Sequence, residues 1–330
     1  MGSSAQVTVG IPTIGREYLR DAIESLLAQS FTDWHGIISD NSNSPEVRTL
    51  VESYGDKRLE YVGHPHNLGS GGNFNYIFDV ATSEYCTILH DDDRYHQDYL
   101  QQMLAGFHEF PQARWAFCNA WNYIDGTETK LSWFSEMASC VFEAKKALFT
   151  RLVGENCICC PTVIFHRDVY AHYKFNLIYP QSLDWEMWIR LAYDFDAFYL
   201  GEQLLYYRSW SESASSMYQL NGELLLDDVA LLAWVTAFNL PAEIKKKIIR
   251  ERKHRIRKLC RRIIKNECKM DVAKLSVLFS YDRGFYITLL HWAYRYPLIR
   301  SALKRWVDGY DLRRQSKKKQ KQRIARCKLP

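Results

Sequence analysis

The stretch Tyr85–His96, YCTILHDDDRYH, drives strand-forming residues straight into three consecutive carboxylates, Asp91, Asp92 and Asp93. Held close together, such groups disfavour one another's ionised forms unless a cation or hydrogen-bond donors compensate. One reading is a solvated turn after a strand. The other is a hard-metal site, because Mg²⁺ and Mn²⁺ are held by one or two carboxylates together with substrate phosphates. A further carboxylate, Asp184 in SLDWEMWIRLA, precedes apolar residues at helical spacing. It therefore sits near a helix start, where an anion is favoured and can also cap. In the same segment Arg190 is expected to pair with a structural carboxylate, and Trp185 and Trp188 serve either as core or as a stacking platform for a ligand ring.

The elements around these residues alternate. QVTVGIP reads as a buried strand, and REYLRDAIESLLAQS repeats Tyr18, Leu19, Ile23, Leu26 and Leu27 along one helical face. HGIIS is a second strand ending at Asp40, SPEVRTLVESYG a helix, LEYVG a third strand, and a helix spans about 72–81 before the strand that meets the aspartates. Strands alternating with helices predict a mostly parallel sheet covered on both faces. Ligands then bind beyond the carboxyl ends of the strands, so Thr13, Asp40 and the aspartate run should line one crevice.

At 330 residues, 47% hydrophobic and 14% aromatic, the chain can bury a large core and is not disordered. Nine cysteines without paired spacing argue against a disulfide framework and for a reducing compartment. Cys157, Cys159 and Cys160 cluster, but no matching pair follows at zinc-ligand spacing, so buried thiols are expected. No secretory signal opens the chain and no window reaches the roughly 18–20 apolar residues of a membrane span. The net charge of +5 hides an asymmetry: residues 241–330 carry 28 Lys and Arg against 7 Asp and Glu, whereas residues 1–240 carry 15 against 31. Pro241 in NLPAE starts a new basic helix. We therefore expect a catalytic domain over 1–225 and a basic helical region over 226–330.

Five segments in order, VGIPTIGREYLRDAIESLLAQSFTDW, IISDNS, HNLGSGGNFNYIF with LHDDD, SLDWEMWIRLA, and YYRSWSESAS, resemble the family 2 glycosyltransferases, over roughly residues 6–216. The resemblance implies the α/β GT-A fold, a Rossmann-like sheet, and transfer of a sugar from a nucleotide-sugar donor to a hydroxyl with inversion. It implies Mn²⁺ or Mg²⁺ as cofactor, with Asp93 as the first metal ligand and Asp92 the second. Asp91 then holds a ribose hydroxyl or a metal-bound water, or joins the metal ligands directly. Asp184 is the implied base, with Glu186 as the fallback. Asp40 is implied to recognise the nucleotide base, with an Asx-type turn at DNS as the alternative. Pro12, Thr13, Arg16, Asn67, Gly71, Gly72 and Asn75 lie along the donor in the same comparison, and Gly69, Gly71 and Gly72 permit close backbone approach. Two positions depart from the pattern: Phe74 replaces a basic residue, and Trp210 replaces a histidine two residues after Arg208. Arg208 is then expected to meet the diphosphate itself.

Two other classes compete. A nucleotidyltransferase on a similar sheet would show a Gly-rich, basic loop after the first strand, where GIPTIGRE offers only Arg16. A non-catalytic sugar-binding scaffold would not need Asp40, the aspartate run and Asp184 together. The tail RRQSKKKQKQR carries no nucleic-acid recognition motif, so no nucleic-acid partner is expected. In the basic region Ile244, Ile248, Ile249, Ile256, Leu259, Ile263 and Ile264 fall roughly on one helical face. Those helices either pack on the catalytic domain or lie in the plane of an anionic membrane surface. The second option matches a glycan or lipid-linked glycan acceptor in bacterial surface polysaccharide synthesis. It puts the chain in the cytoplasm, peripheral on the inner face of the cytoplasmic membrane.

Overall fold

In a computed structural model the described residues are 5–124, 127–129, 134 and 138–209, with isolated positions and short runs between 227 and 254. The first seven elements are β1 (Val7–Thr13), α1 (Leu19–Leu27), β2 (Trp34–Asp40), α2 (Pro45–Ser53), β3 (Leu59–Gly63), α3 (Gly69–Val80) and β4 (Tyr85–Ile88). There follow β5 (Arg94–Tyr95), α4 (Tyr99–Glu109), β6 (Trp115–Ile124), β7 (Thr127–Thr129), β8 (Cys140–Phe142) and α5 (Ala147–Leu152). A single 3₁₀ turn (Cys160–Thr162) leads into β9 (Val163–His166), α6 (Arg167–Tyr170), α7 (Leu183–Asp194) and β10 (Ala197–Arg208).

One sheet runs β3-β2-β1-β4-β9-β6-β10-β5, with β7 on β6 and β8 on β10. The first four strands are parallel, as alternation demands, and β6 and β10 are also parallel. Between them β9 runs antiparallel to both β4 and β6. Because β9 is reversed, its beginning lies beside the end of β4. The turn Cys160–Thr162 is thereby brought to the aspartate run.

Strand β1 is buried along nearly its whole length because helices cover both of its faces. Val7, Val9 and Ile11 share a core with Leu19, Ala22, Ile23 and Leu26 of α1. On the other face α3 sits directly on Gly10, where an added Cβ would stand 2.4 Å from Ile77 Cγ2. Helix α2 starts at Ser44, whose hydroxyl accepts from the Glu46 and Val47 N–H groups, with Pro45 at the first helical position. Trp185 and Trp188 are both buried: the Trp185 indole donates to Leu152 O at 2.7 Å, and Trp188 stacks on Trp115. They belong to the core and offer no platform for a sugar. Among the described residues the cysteines 86, 118, 140, 157, 159 and 160 are free thiols.

The chain divides into two compact units, Met1–Trp210 and Ser211–Pro330; the boundary expected from the sequence lay at 225/226. In the second unit residues 242–246 and 248–250 are helical, with the Lys245 N–H on Pro241 O at 3.0 Å. The remaining basic helices expected over 226–330, and Trp210, lie outside the described residues. Among the described residues no helix is long and apolar enough to cross a membrane.

Candidate active site

The ends of β1, β2 and β4 converge as parallel strands must. Thr13 Oγ1 donates to Asp91 Oδ2 at 2.7 Å, and the Arg16 guanidinium meets Asp91 Oδ1 at 2.5 Å. Burial raises the Asp91 pKa against the pull of Arg16. This double engagement separates Asp91 from its two neighbours. Its oxygens fasten the loop after β1 to the end of β4, and direct metal ligation, one of the expectations for it, does not match that geometry.

Asp92 and Asp93 instead group with His90: each of the three offers a ligand atom, and these atoms lie within 4.8 Å of one another. Asp93 is 1% exposed, its Oδ1 accepts the Arg208 N–H at 2.8 Å, and its Oδ2 has no hydrogen-bond partner. Burial first, and Asp92 next, push the Asp93 carboxyl well above the usual carboxylate range. Burial lowers the His90 pKa, which favours the neutral ring that metal ligation requires. A divalent cation fits this donor set, since it would satisfy the covered Asp93 oxygen and compensate adjacent carboxylates.

Strand pairing explains the brace behind the cluster. Antiparallel register sets Tyr206 against Arg94 and carries Arg208 toward Asp92. The Arg208 guanidinium donates from Nε to Asp92 O at 2.9 Å and from Nη2 to Asp21 Oδ2 at 2.8 Å, and it lies over the Tyr18 ring. Arg208 thus holds the aspartate loop by main chain and side chain together, where a diphosphate contact was expected.

Asp184 opens α7 and accepts from Asn156 Nδ2 at 3.0 Å. The Cys160 thiol is pushed up by burial, then by Asp184 and Asp93; Cys159 feels the same two carboxylates. Asp93 and Asp184, 91 positions apart, thus both act electrostatically on the thiols of the turn before β9. Glu186 does not join them. Two residues along a helix point to nearly opposite faces, and Glu186 is 2% exposed in a bidentate pair with Arg190, both bonds 2.9 Å. It is the structural carboxylate foreseen for Arg190 and is corrected as a fallback base.

The nucleoside end is more fully occupied than the sequence suggests. Asp40 is 0% exposed and accepts four hydrogen bonds, from Ser42 N and Oγ, Ser44 N and Tyr61 OH. That is the Asx-type arrangement, which shapes the loop after β2. Asn75 clamps the Phe175 main chain, donating to its carbonyl at 3.0 Å and accepting its N–H at 2.7 Å. The close approach at Gly71 is to Leu177, 2.6 Å from an added Cβ, and Gly72 faces Leu68 of its own turn. Gly69 has φ +72°, and its N–H donates to Asn67 Oδ1 at 2.7 Å. These residues shape the loops around the strand ends; Pro12 and Thr13 close β1 there. His90 and Asn156 were missed: the first stood beside the aspartates in the sequence, whereas nothing in the sequence marks the second.

A sequence profile described as Glycosyl transferase family 2 matches residues 8–173. The chain belongs to this family of glycosyltransferases. An uncharacterized glycosyltransferase of Methanocaldococcus jannaschii is 27% identical over 58% of this chain and 66% of its own length. A GalNAc(5)-diNAcBac-PP-undecaprenol β-1,3-glucosyltransferase of Campylobacter jejuni is 34% identical over 27% of this chain and 30% of its own. The chain thus spans less than two thirds of the length of these relatives. The structure of Staphylococcus aureus TarS 1–349 in complex with UDP-GlcNAc superposes with a TM-score of 0.60 at 15% identity, covering 94% of this chain and 92% of that one. At that identity the likeness speaks to fold, which is GT-A. The family match ends before α7, so Asp184 stands on its geometry.

Proposed function

We propose that the chain transfers a sugar from a nucleotide-sugar donor to a hydroxyl of a glycan or lipid-linked glycan, with inversion at the anomeric carbon. The observation carrying this is the grouping of His90, Asp92 and Asp93 at the end of β4 in a chain of the glycosyltransferase family. Asp184 takes the proton of the acceptor hydroxyl, oriented by Asn156. His90, Asp92 and Asp93 would hold Mn²⁺ or Mg²⁺. Such an ion supplies electrophilic stabilisation of the charge gathered on the departing diphosphate. Arg208 keeps the aspartate loop in register. Pro12, Thr13 and the loop fixed by Asp40 form the nucleoside floor, where main-chain groups make the base contact because the Asp40 oxygens are already engaged. The named Campylobacter relative motivates the lipid-linked acceptor.

For residues 226–330 we propose an in-plane anchor on the anionic inner face of the cytoplasmic membrane, with residues 1–225 catalytic. Each Lys or Arg near such a surface contributes about 1 kcal/mol. A minority of the 28 basic residues after position 240 is enough to hold the chain there. The donor is tested by thermal shift against a panel of nucleotide sugars with and without Mn²⁺. The true donor should stabilise by mass action and yield a glycosylated acceptor by mass spectrometry. Stabilisation by nucleoside triphosphates alone would point to nucleotidyl transfer.

A further inference from the structure

We propose that His90 is a third protein ligand of the cation held by Asp92 and Asp93, and that its nitrogen makes the site prefer Mn²⁺ to Mg²⁺. The inference rests on the metal-dependent reading given above.

The geometry is that of a compact ligand set, three donor atoms within 4.8 Å of one another. His90 Nδ1 stands 3.5 Å from Asp93 Oδ2. That is too long for a hydrogen bond between them. Ligands on adjacent corners of an octahedron with bonds near 2.1 Å lie about 3 Å apart, so a small inward movement completes the pair. Two polar atoms here, His90 Nε2 and Asp93 Oδ2, are covered and without a hydrogen-bond partner. Buried polar atoms are ordinarily satisfied, and of the two it is Asp93 Oδ2, beside the other ring nitrogen Nδ1, that asks for a partner shared with the imidazole.

The ring is also held in place. Phe74 stacks on His90, centroids 5.6 Å apart and planes at 19°. Phe74 in turn meets Phe175 edge to face at 5.2 Å, and the Phe175 main chain is the one clamped by Asn75. An aromatic wall anchored by two hydrogen bonds therefore fixes the imidazole plane and leaves its edge toward the carboxylates. Phe74, which departs from the family pattern as a lost cation, gains a role as the support of this ring. One nitrogen with carboxylate oxygens suits Mn²⁺ and the later first-row ions, whereas Mg²⁺ takes oxygen almost throughout.

The test uses the full chain and Mn²⁺ alone. Electron spin-echo envelope modulation of the bound ion should show coupling to one imidazole ¹⁴N, absent in His90→Gln. That variant should bind Mn²⁺ at least about tenfold more weakly, while Mg²⁺ affinity by competition changes less than about twofold. His90→Asp should bind both ions without the nitrogen coupling. Thermal unfolding checks that the variants fold, and the wild-type spectrum decides even if they do not. Mn²⁺ bound to the wild type without ¹⁴N coupling overturns the role of His90 and leaves the metal-dependent reading standing. No Mn²⁺ bound at all overturns both.

Discussion

Replacing Asp184 by Asn and Glu186 by Gln should separate chemistry from packing within one helical turn. Asparagine at 184 keeps the size of the side chain and an oxygen for Asn156 Nδ2, but it cannot take a proton. A positioned base contributes about 10²–10⁴ in rate, equivalent to roughly 2.7–5.4 kcal/mol of barrier, so turnover should fall by that factor with donor affinity nearly unchanged. Glutamine at 186 removes the charge from the two 2.9 Å bonds to Arg190 inside the core. Hydrogen bonds to charged groups are worth about 1.5–3 kcal/mol, and in a unit of this size each kcal/mol moves the midpoint by roughly 2–4 °C. Glu186→Gln should therefore unfold about 3–12 °C lower and turn over like the wild type well below that temperature. Steady-state release of nucleoside diphosphate and calorimetry measure the two effects. If Glu186→Gln loses turnover with its midpoint unmoved while Asp184→Asn stays active, the assignment of the base is refuted.

Asp93→Ala should abolish transfer and metal-dependent donor binding, and excess chelator should do the same to the wild type; full activity under either condition defeats the metal assignment. Because the folded chain raises the Asp93 pKa, its neutral form stabilises the metal-free fold below the usual carboxylate pKa. That contribution disappears as pH climbs through the raised value, so the chelated protein should lose stability on going from acid to neutral pH. Asp93→Asn should flatten this dependence in thermal unfolding. Gly10→Ala drives a methyl into Ile77 and should cost about 1–3 kcal/mol in denaturant unfolding. The full chain should co-sediment with anionic but not neutral liposomes, less so at high salt; equal binding to neutral vesicles would return residues 226–330 to a packing role.

The alternation of β1 to β4 and the crevice at their carboxyl ends were legible because periodicity and topology are local signals. Side-chain partners were not, because they come from distant parts of the chain. Asn75 looked like a donor contact until Phe175, a hundred residues away, took both of its hydrogen-bonding groups. Arg208 looked free for phosphates until pairing with β5 set it against Asp92. The Glu186–Arg190 pair was within reach of the sequence, being four apart on a helix, the spacing at which such residues meet. The reversal of β9 had no signal at all, since a short buried strand reads alike in either direction.

That reversed strand also bears on how the chain is made. While β1 to β4 emerge from the ribosome they can pair with one another, but the far edge of β4 is closed only by Phe165, Ile164 and His166. At synthesis rates of about 5–20 residues per second, those partners arrive roughly 4–16 s after Tyr85. For that interval the strand leading into the aspartates presents a bare edge able to add strands from other nascent chains. Control of aggregation during translation thus falls on a four-residue strand whose leading turn borders the aspartates. A stall or truncation before position 163 should leave an N-terminal half that holds its nucleoside floor yet clumps.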